Sequence, residues 1–586
     1  MSRQLRMVRR YAPRMKVSVY LPSAYPTPEF PRGNFPEETS SAVIDMCHTV
    51  AISVLFKPPA PEPVPTDTVV PVPLLDDQPR WHQRCVHYGY LFNDVLDSDK
   101  LRHALQRLME IGEWRKLGAR IRMNVNHHPS IEIPVKRILT DIQSHGKLEY
   151  HIPAHFDAAR PGFVLTSDKQ PMSISEHPLA SKLPTSSGRP FLSSHLDISS
   201  LSLHPDCPRK LVDWLFSDWP LLVIHVVNFH DATLLSLTYL HVVMDAMGIK
   251  HLFQAWSSVV NGREEYVPRF RGIDEDLGGT DSAIMSAREF IQFPKWLRGF
   301  RWIIFRFRTF WEMFRYGQQE TRQLCIPGHI INIMRGQMMR KLEQTSHQHA
   351  ESVFLSESDV LLAWWTRTML KGLGETGRRP IALYNLFDAR ANLPRTSASG
   401  EDAFISNVIL HATTSLRARE MVYRPLSFLA WHIRSALIQH RTRHQSLAQL
   451  ATQKVALDTT GATALWGEPT SLIIFCTNWH RCQLYEIDFS SAVIPSASPA
   501  TGRRNTIGRP LQHITAAMPK SLHTRNFGII FGKDGAGDWW LAWTLRAQAW
   551  PTIQKELERL DNLDKLGQLD QLQEDKRSHP NQGRNA

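Results

Sequence analysis

The sequence predicts an α/β fold built in two halves. Three observations predict it. Runs rich in Val, Ile and Leu alternate with stretches whose apolar residues recur at helical spacing, on both sides of the chain's middle. A segment of interleaved aromatic and basic residues, 295–315, separates the two sides. A proline-crowded stretch precedes the first half. Proline removes a donor and fixes φ, so that stretch fits an extended arm rather than a packed element.

Residues 1–66 form the arm. Residues 1–16 carry six basic side chains but no apolar run of the kind a secretory signal needs. Residues 57–66 read Lys-Pro-Pro-Ala-Pro-Glu-Pro-Val-Pro-Thr, and an apolar island lies at 42–56. The first half spans 67–294. A strand is predicted at 86–92 and an amphipathic helix at 98–112, with Leu101, Ala104, Leu105, Leu108 and Ile111 on one face. Strands at 220–229 and 233–243 flank a turn at His230-Asp231. A helix over 244–260 stops at Asn261-Gly262.

The crossover spans 295–350 and opens with a basic amphipathic helix. That helix has two readings: contact of 295–316 with a membrane surface or anionic ligand, or an aromatic stripe packed on the body with arginines in water. The packing reading is preferred, because the apolar residues alone suffice to anchor the helix. The second half spans 351–572. A helix over 356–371 opens with the capping pair Ser356 and Asp359. A strand at 381–387, a long helix over 426–453, strands at 471–477, 526–531 and 539–545, and a terminal helix over 550–572 follow. Residues 573–586 are a polar tail.

At 586 residues, 42% apolar and 21% charged, the chain is too long for one ordinary core and too apolar for disorder. The 68 Lys and Arg against 56 Asp and Glu give a charge of +12, which suits an anionic partner. No nucleic-acid-reading motif accompanies it, so no nucleic-acid partner is expected. Six scattered cysteines contain no Cys-x-x-Cys, which argues against a disulfide scaffold and fits the cytoplasm. No stretch is long and apolar enough to span a bilayer. The pairs His127-His128 and His347/His349 lack partners at ligand spacing, so no metal is expected.

The sharpest chemical feature is His241-Val-Val-Met-Asp245-Ala-Met-Gly248. With 27 histidines, and Asp at roughly one position in twenty, about one His-x-x-x-Asp is expected by chance, and one is found. On the motif alone a satisfied core histidine is the simpler reading. Its context is more telling: the His ends an apolar strand and the Asp opens a helix. An imidazole there can take a proton near neutral pH. The Asp is placed to cap the helix or bind an arginine, and Gly248 permits close backbone approach.

Together with other stretches in order, this motif resembles the BAHD acyltransferases, the acyl-CoA-dependent His-x-x-x-Asp enzymes of plant and fungal secondary metabolism. Val72-Pro-Leu-Leu-Asp-Asp77 is similar to the family's opening. Gly118-Ala-Arg-Ile-Arg122 is similar to its Gly-Arg-Leu turn, and 356–365 to the helix opening its second half. Asp388-Ala-Arg390 resembles Asp-Gly-Arg, and Phe404-Ile-Ser-Asn407 resembles Tyr-x-Gly-Asn. Thr477-Asn-Trp479 resembles Thr-Ser-Trp. Asp488-Phe-Ser-Ser-Ala492 stands where the family has Asp-Phe-Gly-Trp-Gly, without its Trp and glycines. The resemblance covers about 67–572 and is nearest to fungal members.

The resemblance implies two chloramphenicol-acetyltransferase-like lobes with mixed sheets and a channel between them. It implies His241 as general base, with no covalent acyl-enzyme and no permanently bound cofactor. Acyl-CoA, expected to be acetyl-CoA, is the co-substrate, and the acceptor is a hydroxyl of a terpenoid or polyketide. Thr477 is the stronger candidate for an oxyanion donor and Trp479 the weaker. Asp245 is implied to support the His loop through an arginine, with Arg390 as its partner. Asn407, Asp488 and Gly248 fall to structural or channel-lining roles. A monomer is expected. Two alternatives stay open: a family relative without catalysis that binds a ligand or partner, and an amide-forming relative of peptide-synthetase condensation domains. Leu240 before His241 and Ala246 after Asp245 depart from the condensation pattern.

Overall fold

The computed structural model describes residues 60–124, 148–277, 285–345, 354–393, 402–495, 505–515 and 525–569. All of them belong to one compact unit, Pro58–Ala586. The basic N-terminal segment, the apolar island at 42–56, the pairs His127-His128 and His347/His349, and the tail at 573–586 lie outside the described residues.

The first half contributes β1 (Thr68–Pro71), β2 (Cys85–Phe92), β3 (Arg120–Met123), β4 (Leu148–Ile152), β5 (Val164–Lys169), β6 (Phe191–Ser194), β7 (Val223–Asn228), β8 (Thr233–Leu240) and β9 (Arg269–Arg271). Its longer helices are α1 (Ser98–Leu108) and α2 (Ala246–Val260). The crossover and second half contribute β10 (Gln319–Ile326), β11 (Pro380–Asp388), β12 (Asp402–Phe404), β13 (Ile409–Arg417), β14 (Leu472–Asn478), β15 (Gln512–Thr515), β16 (Phe527–Lys533) and β17 (Trp539–Arg546). Their longer helices are α3 (Phe300–Arg315) and α4 (Gly328–Thr345) in the crossover, then α5 (Glu357–Gly372), α6 (Leu426–His440), α7 (Arg443–Thr460) and α8 (Trp550–Lys565).

Two mixed sheets form the two lobes. The first runs β15-β2-β8-β7-β5 and the second β13-β11-β14-β16-β17-β10-β6. β5 pairs parallel with β7, as β11 does with β14 and β14 with β16; the other pairings in these two sheets are antiparallel. Every residue of β7 and β8 is buried. That is why both carry apolar residues on both faces rather than an alternation, with His225, Asn228, Thr233, Ser236 and Thr238 as buried polar interruptions. The face of α1 carrying Leu101, Ala104, Leu105 and Leu108 packs into the first core with α2. In the second lobe α5 is buried along most of its length, with Trp364 and Trp365 in the core.

The halves exchange strands. β6, from the first half, edges the second sheet against β10. β15, from the second half, edges the first sheet against β2. β9 and β12 pair parallel across the boundary, Phe270 opposite Ala403. β10 comes from the predicted crossover and is an inner strand of the second sheet.

The structure corrects several expectations. The helix predicted over 98–112 ends at Leu108, and a short 3-10 turn starts at Gly112, whose φ is 50°. The long helix over 426–453 is two helices, broken at Arg441 and Thr442. The Thr442 hydroxyl accepts from the Gln445 amide at 3.2 Å and starts α7 afresh. The terminal helix stops at Lys565, just before Gly567 in a left-handed conformation, φ 63°. The aromatic stripe of the crossover helix does not pack on the body: Phe300, Ile303, Phe307, Phe310, Trp311 and Phe314 face outward. Trp302 and Phe305 anchor α3 instead.

Candidate active site

β8 ends at Leu240, and His241 begins the turn into α2. The His241 amide donates to the Arg84 carbonyl at 2.9 Å, just before β2. Its own carbonyl accepts from Asn407 Nδ2 at 2.9 Å, a residue of the other half. The backbone on both sides of the imidazole is therefore fixed, once by each lobe.

Trp81 lies flat against the imidazole, with ring centroids 4.0 Å apart and 9° between planes. The Trp81 indole donates to the Leu75 carbonyl at 3.1 Å, which holds the plate in place. Arg80 and Arg84 stand over the same indole, 4.3 and 5.7 Å from its centroid. Among the described residues no carboxylate offsets either guanidinium, and Arg80 Nε is buried without a hydrogen-bond partner. Burial first, then the charges of Arg84 and Arg80, push His241 from 6.5 down to about 3. Its own carbonyl and the Asn407 side chain pull weakly the other way. His241 is thus neutral at physiological pH. Nδ1 is buried without a well-aligned partner, which leaves Nε2 as the nitrogen able to reach a ligand.

Asp245 does not face the imidazole. One oxygen caps α2, accepting from the Met247 and Gly248 amides at 3.0 Å each. The same oxygen accepts from Arg390 Nη2 at 2.8 Å, and the other from Arg390 Nη1 at 3.1 Å and the Val408 amide at 3.0 Å. Arg390 also reaches Asp388 at 2.8 Å and the carbonyls of Phe404 and Ser406 at 3.0 and 2.7 Å. With both carboxylate oxygens committed, Asp245 holds the turn, the helix start and the second lobe together. Gly248 makes this possible: a Cβ there would lie 2.5 Å from the Ile405 carbonyl oxygen.

Asn407 is tied as tightly. Its amide N–H and its Nδ2 both donate to Asp76 Oδ1, at 2.7 and 2.6 Å. Asp76 is fully buried, and burial pushes its carboxyl up to about 8. Asp76, Trp81, Arg80 and Arg84 were not singled out as site residues from sequence. Asp76 lay in a quoted motif, whereas the other three carry no local signal and gain meaning only beside His241.

Thr477 and Trp479 lie at the end of β14, and they touch each other: the Trp479 indole N–H donates to Thr477 Oγ1 at 3.1 Å. That contact occupies the indole donor and leaves the threonine O–H free to donate. Trp479 packs edge-on against Tyr88 of β2, centroids 5.6 Å apart, so this segment reaches the sheet that carries His241. Asp488 lies elsewhere. Its carbonyl accepts from Asn261 Nδ2 at 2.7 Å, and Phe489 beside it packs against Phe92, Phe253 and Trp256 in the first core. The altered Asp488–Ala492 block is therefore a packing element. Among the described residues no His, Cys, Asp and Glu cluster could hold a metal, and no helix is long and apolar enough to cross a membrane.

The sequence model of the Transferase family matches residues 207–502. Acetyltransferase adrJ of Penicillium rubens is 32% identical over 506 residues, covering 86% of this chain and 98% of its own length. A protein of Penicillium decumbens named Transcriptional regulator calD is 32% identical over 502 residues, covering 85% and 97%. The crystal structure of F. graminearum TRI101 complexed with coenzyme A and deoxynivalenol superposes with a TM-score of 0.58 at 12% identity, over 84% of this chain and 98% of that one. At that identity the likeness is one of fold.

Proposed function

This chain belongs to the Transferase family, the BAHD-type acyl-CoA-dependent acyltransferases, and on that footing we propose that His241 is the base that lets it acylate a hydroxyl of a small molecule. The observation that carries the proposal is a neutral, largely buried imidazole fixed by both lobes, beside an aspartate with no free oxygen. A neutral imidazole can accept a proton, and an aspartate so engaged serves as scaffold rather than relay.

His241 Nε2 takes the hydroxyl proton as the acceptor oxygen attacks the thioester carbonyl carbon. The carbonyl electrons move onto oxygen, and the Thr477 O–H donates to that oxyanion. Trp479 steadies Thr477 through its indole N–H. When the carbonyl re-forms, the carbon–sulfur bond breaks and the CoA sulfur leaves, taking the proton back from His241. The products are an ester and free CoA, and no acyl group rests on the protein. Acetyl-CoA is the proposed donor, in line with the relative named an acetyltransferase. A hydroxylated terpenoid or polyketide is the proposed acceptor. The enzyme is proposed to work as a monomer in the cytoplasm.

The test is mass spectrometry of reactions containing acetyl-CoA and a panel of hydroxylated terpenoids and polyketides. The expected result is one acceptor heavier by an acetyl group, free CoA in equal amount, and a protein of unchanged mass throughout. An acyl group trapped on the protein would exclude the direct route. The relative named a transcriptional regulator favours the non-catalytic reading. That reading requires no CoA release with any donor and acceptor.

A further inference from the structure

Among the described residues, exposed large apolar side chains concentrate on the outer face of α3. Phe300, Ile303, Phe307, Phe310, Trp311 and Phe314 recur at helical spacing and are between 55% and 75% exposed. Six side chains of this size leave on the order of 700 Å² of apolar surface in water. That exceeds the few hundred Å² typical of a monomer's largest patch, and such patches mark interaction sites.

The helix is not loose. Trp302 and Phe305 pack onto the second lobe around Trp466, and Arg301 donates to the carbonyls of Pro294 and Gly467 at 2.9 and 3.0 Å. Glu312 points inward, paired with Arg379 and within 3.4 Å of Arg308 and 3.6 Å of Arg525. The inner face thus holds the anchors, while the outer face holds bare aromatics.

Charge decides what fits. Glu312 is the only acid in α3, and it is turned to the body. Arg298, Arg306 and Arg315 are exposed around the apolar stripe. From Lys295 to Lys341 the sequence has ten basic residues against two acidic ones. A second copy docked symmetrically through this face would bring arginines against arginines with no acid between them. A layer of anionic headgroups over acyl chains supplies both what the arginines lack and what the aromatics need. A 16-residue helix is about 24 Å long, enough to lie flat in that layer.

We propose that Phe300–Arg315 is an interfacial helix that seats this enzyme on an anionic bilayer surface. The anchors orient the chain, the six apolar side chains enter the acyl boundary, and Arg298, Arg306 and Arg315 meet lipid phosphates and carboxylates. This does not depend on the acceptor proposed above.

The test uses the full chain in vesicle co-sedimentation, with phosphatidylcholine vesicles alone or mixed with phosphatidylserine, at low and raised salt. The expected result is binding to the serine-containing vesicles that weakens with salt. Phe307→Glu with Phe310→Glu should abolish it, and Arg306→Glu with Arg315→Glu should lower the partition coefficient at least about tenfold. Both double variants keep wild-type CoA release, since neither touches the site around His241. Equal binding to both vesicle types, or none to either, overturns the proposal. One further result overturns it by naming another occupant: a vesicle-free dimer that Phe307→Glu with Phe310→Glu splits.

Discussion

An imidazole acting as a base has to be unprotonated before substrate arrives, and here burial and two arginines see to that. Because kcat/KM reports the ionisations of the free enzyme, it should stay level between about pH 5 and 8, with no acid limb near the ordinary 6.5. Replacing Arg84 with Gln removes a positive charge that disfavours imidazolium. The His241 pKa then rises and the acid limb moves to higher pH, which a pH–rate profile reads directly. A limb near 6.5 in the unaltered enzyme would mean that the arginines do not govern this group. Asp245 makes a separate prediction. Asp245→Asn breaks a buried ion pair and leaves Arg390 less well neutralised, so it should destabilise the fold by about 3 kcal/mol in urea unfolding. A stable but inactive Asp245→Asn would instead give the carboxylate a direct part in chemistry. His241, Asp245 and Arg390 could be read from motifs, because each motif keeps its residues in fixed local order. Asp76, Trp81, Arg80 and Arg84 could not, because the fold alone brings them to the histidine.

β14 ends in the Thr477–Trp479 segment, and its position depends on β16 beside it, where Thr477 pairs with Ile529. One residue earlier on β16, Gly528 faces Trp543 of β17. A Cβ on Gly528 would lie 2.0 Å from the fully buried indole, so the strand fits only without a side chain there. Gly528→Ala should cost at least about 2 kcal/mol in thermal or urea unfolding, from overpacking. Adding Trp543→Leu should recover part of the loss. No recovery would place the strain elsewhere. The strands buried on both faces, β7 and β8 above all, were legible because they are rich in Val, Ile and Leu and flank the turn at His230-Asp231. β6 and β15 were not. Each is four residues long, and each is stabilised by a sheet from the other half, which no local pattern can announce. The break between α6 and α7 was missed for a different reason: no Gly or Pro marks it, and a polar run at 439–446 with the Thr442 cap is its only sign.

Taken whole, the molecule is two lobes that each lend a strand to the other and share one histidine. His241 belongs to the first half, while Asn407 and Arg390, which hold its carbonyl and its neighbouring aspartate, belong to the second. The parallel pair β9 and β12 lies beside these contacts, with the Ile405 amide donating to the Arg271 carbonyl at 2.9 Å. The site therefore exists only when both lobes are folded together, so the proposed chemistry needs residues of both halves. Two halves were legible at this scale from the alternation of elements, and mixed sheets only from the family resemblance. The outward-facing aromatics of α3 were not, because a helical stripe of Phe and Trp looks the same in sequence whether it packs inward or faces solvent. The most direct measurement of the central claim is acceptor-dependent CoA thiol release from acetyl-CoA by His241→Ala, with folding checked by circular dichroism. Loss of the base should lower the rate by about a hundredfold to ten-thousandfold with the fold intact. A folded His241→Ala that releases CoA at the wild-type rate would contradict the account.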